Sequence, residues 1–454
     1  MTSVPVPKPP LGLEVRRTVT LALPLIVAQL AQVSMGLIDT LMVGRLGGGA
    51  LAGVALGSNL FFFALIAGLG VMGAVSPTVS QAYGANDTGA AGRAVRQSFY
   101  IALFLMLPAF ALFWSAEGLL LRLGQEPATA ALAAAWLRAI CWGYLPSLWL
   151  AGLRGLLEGI ARPRPIMVVT FLGVGFNVLL NYTLIFGHFG FPALGAVGSG
   201  WASAAVYWLM FVAAAAYVRR SLPRFGVFRD FPRPDPRTLR SLLAIGVPIG
   251  LTLAFESGLF SVTAILMGTF GTVALAAHQI ATQTASFTFM IPLGLAAATA
   301  VRIGQAVGGR DLGAARRAGW IGIFLSAGFM TCTALTFWFL PEGIAGLFLD
   351  PAEPENRAVV RTAAGFLAFA AAFQIFDGLQ VSAAGALRGF KDTRVPMLIS
   401  LVSYWGVGLG SGALLAYVFG WGGRGLWGGL VLGLAAAAVL LVGRFRRLRR
   451  ALGE

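Results

Sequence analysis

QLAQVSMGLIDTLMVGRLGGGALAGVALG, Gln29 to Gly57, reads as an apolar helix carrying one acid, Asp39, then a glycine-rich turn and the start of a second apolar helix. The stretch has a partner downstream. Shifting the sequence by the distance from Pro24 to Pro248 also aligns Gly44 with Gly268, Gly47 with Gly271, and Ala50, Leu51 and Ala52 with Ala274, Leu275 and Ala276, without a gap. The register holds for a further helix, where Gln81, Ala82, Gly84, Asp87, Gly89 and Arg93 match Gln305, Ala306, Gly308, Asp311, Gly313 and Arg317. Agreement at one fixed shift from Pro24 to Arg93 is improbable by chance, so the chain reads as two halves of one architecture, a common construction for transporters. The acids are not duplicated. Asp39 maps onto Thr263, whereas Gln32 maps onto Glu256. Within each half these positions lie two turns apart on one helix face, so each half has a polar stripe with its acid at a different depth.

Composition fixes the environment. With 58% hydrophobic and 11% charged residues over 454 positions, the chain has far less charge than the quarter or so typical of soluble domains. Apolar runs of roughly twenty residues or more recur about twelve times, each long enough to cross a hydrocarbon core. They lack the alternation of barrel strands, so the expected fold is an all-α integral membrane protein of twelve transmembrane helices. The runs lie near 14–42, 50–83, 95–114, 131–157, 165–186 and 195–218, then 239–268, 273–301, 314–339, 359–387, 395–419 and 425–444. This predicts two pseudo-symmetric six-helix lobes, 14–218 and 239–445. Around them lie an N-terminal tail over 1–13, a basic linker over 219–238 and a basic C-terminal tail over 446–454. Pro24 removes a backbone hydrogen bond inside the first helix and marks a site for a bend. Small residues such as Gly53 and Gly57 have the spacing that lets membrane helices approach closely.

The net charge of +16 raises the question of nucleic acid, and the distribution of basic residues answers it. With the termini and every second loop on one side, all 33 Lys and Arg fall there except Arg45, Arg122, Arg138, Arg357, Arg361 and Arg424. That asymmetry marks the cytoplasmic side of a plasma (inner) membrane protein with both termini inside, and nucleic acid is not an expected partner. The block Arg219 to Arg240, broken by Pro223, Pro232, Pro234 and Pro236, reads as a linker that contacts anionic membrane lipids. Arg16 and Arg17 precede an apolar run without a cleavage site, which reads as a retained first span. Cys141 and Cys332 lie inside apolar runs and imply neither a disulfide framework nor a zinc site. The loop Pro341 to Asn356 is acidic and reads as an outer, solvated segment.

Three carboxylates fall inside predicted spans: Asp39, Glu256 and Asp377. An acid at the centre of a membrane helix costs about 2.5 to 3.5 kcal/mol on insertion scales, so three without a function are a steep penalty. No Lys or Arg lies within the same central segments. A carboxyl group in such surroundings can carry a proton, or exchange it for a cation. Gln374 and Gln380 flank Asp377 three residues away on either side, on about its face. Asn177 and Asn181, four apart on the fifth helix, are positioned either to hydrogen-bond Asp39 or to bridge helices structurally. Gln279 and Gln283 repeat that spacing on the eighth helix beside His278, which reads as a packing residue. Gly68, Gly70 and Gly73 spell a dinucleotide-binding pattern but in mid-helix, where it fails its context test. No ATP-binding loop and no enzyme motif occurs, and no cofactor is expected. Energy comes from an ion gradient, or the chain is a passive channel.

At these residues the chain resembles the multidrug and toxic compound extrusion (MATE) family, in particular its NorM-like branch. The resemblance is carried by AQVSMGLIDTLMVGRLGG from Ala31 to Gly48, FESGLF from Phe255 to Phe260, AAHQIA from Ala276 to Ala281, and FDGLQVSAAGALRGFKDTRVPM from Phe376 to Met397. NVLLNY from Asn177 to Tyr182 also matches. The resemblance implies two six-helix lobes around a central cleft that export organic cations in exchange for Na⁺ or H⁺ by alternating access. It places Glu256 and Asp377 on the second-lobe cation site, where they would be the metal ligands if Na⁺ is the coupling ion. Asp39, with Asn177 and Asn181, falls on the first-lobe acid cluster. Phe373 stands where some Na⁺-coupled relatives have a tyrosine, which removes an oxygen ligand and favours H⁺ over Na⁺. The rival reading is a flippase for a lipid-linked sugar of the same superfamily. Such a protein needs arginines for phosphates where this chain offers acids. The protein is expected to act as a monomer, with membrane lipids and small organic cations as its partners.

Overall fold

The computed structural model describes residues 10–229, 234–350 and 353–451. Residues 1–9 of the expected tail over 1–13, linker residues 230–233, loop residues 351–352 and residues 452–454 of the expected tail over 446–454 lie outside the described residues, and helix already covers 11–13 and 446–451. Among the described residues twelve helices are long and apolar enough to cross a membrane. In chain order they are α1 (Leu11–Gly44), α2 (Gly48–Gly84), α3 (Thr88–Arg122), α4 (Pro127–Gly159), α5 (Arg164–Phe186), α6 (Ala196–Ser221), α7 (Pro236–Gly268), α8 (Thr272–Gly308), α9 (Leu312–Phe339), α10 (Arg357–Gly389), α11 (Arg394–Val418) and α12 (Gly423–Leu448). The chain is therefore the twelve-helix membrane protein that its apolar runs predict.

The repeat is visible in the helix ends. Gly47 and Gly271 precede α2 and α8 at φ 103° and 100°, values that favour glycine. Asp87 and Asp311 cap α3 and α9, each side chain accepting from the amide three residues on at 2.7 Å. Because of that cap α3 starts at Thr88, several residues before the apolar run near 95 that marks it in the sequence. The halves differ in two places. The span α2 breaks at Gly73 and Ala74, where Pro77 has no N–H to bond the Gly73 carbonyl, while α8 runs on unbroken. The span α11 is π-helical over Val402–Leu409 and again over Leu414–Val418. Its glycines meet α12 backbone to backbone: a Cβ added at Gly429 would stand 2.2 Å from the Gly412 Cα.

The chain divides into two compact units, Val27–Ala254, and Met1–Ile26 with Phe255–Glu454. The lobes of the sequence reading count spans and these units count contacts. The two partitions part company inside α1 and α7, just beyond Pro24 and Pro248.

In the first unit α4 is the central helix, packed by α2, α3 and α6. Phe61, Phe113, Trp136 and Tyr144 form a cluster of tilted and edge-on rings. The polar tips are satisfied: Trp136 Nε1 donates to Ser199 Oγ at 2.9 Å and the Tyr144 hydroxyl to the Ala64 carbonyl at 3.1 Å. Gly53 and Gly57 do face α4, where added Cβ atoms would meet Leu132 at 2.7 Å and Trp136 at 3.0 Å. The first turns of α7 join this unit through Leu242, Ile245 and Ile249, packed with Val71, Ala74 and Ile101. The linker is less solvated than its charge suggests. The turn Pro223–Phe225 follows α6 directly, Phe225 and Val227 are buried, and Arg96 of α3 donates to the Gly226 carbonyl.

In the second unit α10 is central, packed by α8, α9 and α12. Leu21, Ala22 and Leu25 at the start of α1 pack with Leu295, Ala298 and Val301 of α8. Below them Arg302 of α8 donates to the Glu14 carbonyl at 2.9 Å, to Thr18 Oγ1 at 2.5 Å and to the Glu14 carboxylate.

Candidate functional site

In the first unit Asp39 of α1 is met by donors from two other helices. Asn177 and Asn181, one turn apart on α5, donate through Nδ2 to Asp39 Oδ1 at 3.0 and 2.5 Å. Ser203 of α6 donates to Oδ2 at 3.0 Å. Both asparagines are fully buried, and of the alternatives their spacing left open the geometry selects the bond to Asp39. Their own Oδ1 atoms are buried without a hydrogen-bond partner among the described residues. Tyr207, one turn beyond Ser203, lies within electrostatic reach of the acid. Both carboxylate oxygens thus hold neutral donors, with no cationic partner among the described residues. Such donors complement an ionised carboxylate while burial opposes its charge, which leaves the group open to a proton or a cation. Gln32, two turns earlier, is part-buried and hydrogen-bonds nothing among the described residues. Ser203 is not singled out by the sequence reading, since a serine among the alanines of GWASAAVYW looks like a packing residue. Its only signal is the pair with Ser199, four residues back on the same face.

In the second unit Asp377 of α10 is 4% exposed. Gln380 donates through Nε2 to Asp377 Oδ1 at 3.2 Å, as their spacing predicts, and the Tyr404 hydroxyl of α11 donates to Gln380 Oε1 at 3.0 Å. Gln374 lies elsewhere. It donates to Thr288 of α8, and its Oε1 is buried without a partner. Glu256 of α7 acts electrostatically on Asp377, so the two acids share one neighbourhood. Arg388, three turns further along α10, is within electrostatic reach of Glu256 and of Tyr404. The sequence reading places no Lys or Arg in the central segments; Arg388, in the last turn of α10, still acts electrostatically on Glu256 from there. Trp405, next to Tyr404, donates through Nε1 to the Phe255 carbonyl at 3.2 Å, and its ring covers Gly258, so α11 also braces the turn that carries Glu256.

Phe373, one turn before Asp377, is 2% exposed and packs edge-on to Phe260 at 6.0 Å and Trp427 at 5.9 Å. His278 packs against Trp427 at 5.7 Å, consistent with a packing residue. Gln279 and Gln283 are exposed and hydrogen-bond neither acid. Outside the spans, Lys391 follows α10 at φ 61°, and burial pushes its ammonium below the usual lysine range. Among the described residues no group of three or more His, Cys, Asp and Glu is placed to hold a metal ion.

Twelve spans in repeated halves, with hydrogen-bonded acids inside both, define a polytopic membrane protein of the transporter type. The MatE family profile matches residues 24–183 and 248–414, one match in each half. The chain belongs to that family. It is 43% identical over 437 residues to the probable multidrug resistance protein NorM of Rhizobium meliloti (strain 1021), covering 96% of this chain and 94% of that one. The probable multidrug resistance protein NorM of Deinococcus radiodurans is 41% identical over 445 residues, covering 98% of each. Among solved structures, the eukaryotic MATE transporter AtDTX14 superposes with a TM-score of 0.85 at 20% identity, over 97% of this chain and 99% of that one, which establishes the shared fold.

Proposed function

We propose that this chain is a multidrug efflux antiporter that exports small organic cations in exchange for a coupling ion, H⁺ in the main, by alternating access. The observation that carries the reading is the Asp39 cluster: a carboxylate inside a membrane span, held by three neutral donors and, among the described residues, by no cation. An organic cation and a small cation both favour an ionised carboxylate. Loading one therefore displaces the other, and that differential affinity biases the conformational equilibrium. The names of the NorM relatives agree with efflux of drugs. Nothing in the reading calls for a bound cofactor or a catalytic step. The protein is placed in the inner membrane with both termini cytoplasmic, from its basic asymmetry, and is taken to work as a monomer among membrane lipids.

The choice of H⁺ rests on oxygen counting. A Na⁺ ion needs several oxygen ligands to replace its water. Near Asp377 the side chain of Phe373 supplies none and is walled by Phe260 and Trp427, and Gln374 is engaged with Thr288. A proton needs one carboxyl group. The lipid-linked sugar flippase is disfavoured, because the spans place acids where phosphates need arginines. The test is efflux of an organic cation from proteoliposomes under an imposed pH gradient without Na⁺. Transport on a Na⁺ gradient alone, with no response to pH and Asp39→Asn as active as wild type, contradicts the proposal.

A further inference from the structure

The polar chain behind Asp377 runs in one direction. Ser400 hydrogen-bonds the Tyr404 hydroxyl, that hydroxyl donates to Gln380 Oε1 at 3.0 Å, and Gln380 Nε2 donates to Asp377 Oδ1 at 3.2 Å. All four side chains are buried, with Tyr404 fully enclosed. A glutamine amide has a donor end and an acceptor end, and alone it can turn either one toward a carboxyl group. Here the choice is made for it. The phenolic proton occupies Gln380 Oε1, so the NH₂ end faces Asp377. An N–H donor serves an unprotonated carboxylate oxygen, and in a low-dielectric site such a chain of bonds strengthens each member. Within the π-helical stretch Val402–Leu409, Tyr404 meets α10 while the adjacent Trp405 reaches α7.

We propose that Tyr404 is a positioning residue for the coupling site: through Gln380 it keeps a hydrogen-bond donor on Asp377, favouring the charged carboxylate that binds an organic cation. The proposal rests on the reading of Asp377 as a coupling acid. Two other charged groups act in the same neighbourhood, Glu256 from α7 and Arg388 from α10. Neither touches Gln380 by hydrogen bond, so the Tyr404 contribution is separable from theirs.

The experiment is initial-rate efflux of ethidium by the full chain in proteoliposomes under a fixed pH gradient, for wild type, Tyr404→Phe, Gln380→Leu, the double variant and Asp377→Asn. Tyr404→Phe keeps the ring and loses only the hydroxyl. The lost bond joins two neutral groups and reaches the acid only through Gln380, which corresponds to a rise in KM of roughly three- to tenfold, with Vmax within about twofold. Gln380→Leu removes the bond to the carboxylate itself and is expected to raise KM about tenfold or more, and Tyr404→Phe to add nothing in that background, since its effect passes through Gln380. An unchanged KM in Tyr404→Phe overturns the proposal, and so do effects of the two substitutions that multiply. If Asp377→Asn transports like wild type, the reading of Asp377 fails and takes the proposal with it. If Asp377→Asn is inactive and Tyr404→Phe is normal, only the assignment of Tyr404 fails.

Discussion

Replacing Arg302 by glutamine removes the cation from a nearly dry ion pair at the start of α1. The Arg302 and Glu14 side chains are 15% and 5% exposed. Arg302 makes three contacts there, to the Glu14 carbonyl, the Glu14 carboxylate and Thr18 Oγ1. Arg17 cannot take over: it stands 3.8 Å from Glu14 and is 57% exposed, a geometry worth little in water. Arg302→Gln therefore strands a buried carboxylate, which costs about 3 to 5 kcal/mol. For a cooperative unit of about 150 to 250 residues this is a fall of roughly 6 to 20 °C in apparent melting temperature. The double variant Glu14→Gln/Arg302→Gln has no stranded charge and is expected to recover most of the loss. The assay is thermal unfolding of the detergent-solubilised protein followed by monodisperse peak height. If Arg302→Gln melts with wild type, or if the double variant melts no higher than Arg302→Gln, the pair is not a buried, coupled unit.

Further expectations follow from single contacts. Ser203→Ala removes the only donor on Asp39 Oδ2 among the described residues; at about 1.5 to 3 kcal/mol for a hydrogen bond to a charged group, efflux should fall roughly tenfold or more while expression stays normal, and wild-type efflux would remove Ser203 from the cluster. Gly70→Val puts a Cβ 2.3 Å from the Gly250 Cα, so overpacking should cost about 1 to 3 kcal/mol and lower the melting temperature; unchanged melting would mean α2 and α7 are not in backbone contact. The basic asymmetry places both termini in the cytoplasm, so a C-terminal reporter active only outside the cytoplasm would reverse the topology.

The repeat and the twelve spans were legible because both depend on local chemistry. Gly47 with Gly271 and Asp87 with Asp311 are matched pairs in the sequence, and the structure shows what the matches do: positive φ before α2 and α8, and caps on α3 and α9. Asn177 and Asn181 were legible as a pair because helical spacing puts them on one face, although only the fold shows that the face meets Asp39. Ser203, Arg388 and Tyr404 were not. Each reaches an acid, or the glutamine on it, from another helix or across several turns, and no spacing rule links positions 39 and 203. Tyr404 is the clearest case. It lies in a π-helical stretch, and nothing in VSYWGVGL announces that register or the partner its hydroxyl meets. Gln374 shows the converse, since it shares a helix and spacing with Gln380 but spends its donor on Thr288. The linker misled through composition, because Phe225 and Val227 among its arginines are core residues.

Whether carboxylates inside the spans couple cation efflux to an ion gradient is decided by one comparison, in proteoliposomes holding wild type, Asp39→Asn, Glu256→Gln or Asp377→Asn. Ethidium efflux is measured with a pH gradient alone and with a Na⁺ gradient alone. Wild type is expected to drive efflux on the pH gradient, and each amide variant, which keeps its shape and loses only its charge, is expected to lose coupled transport while inserting normally. Wild-type rates from all three amide variants, or efflux that ignores both gradients, would contradict it.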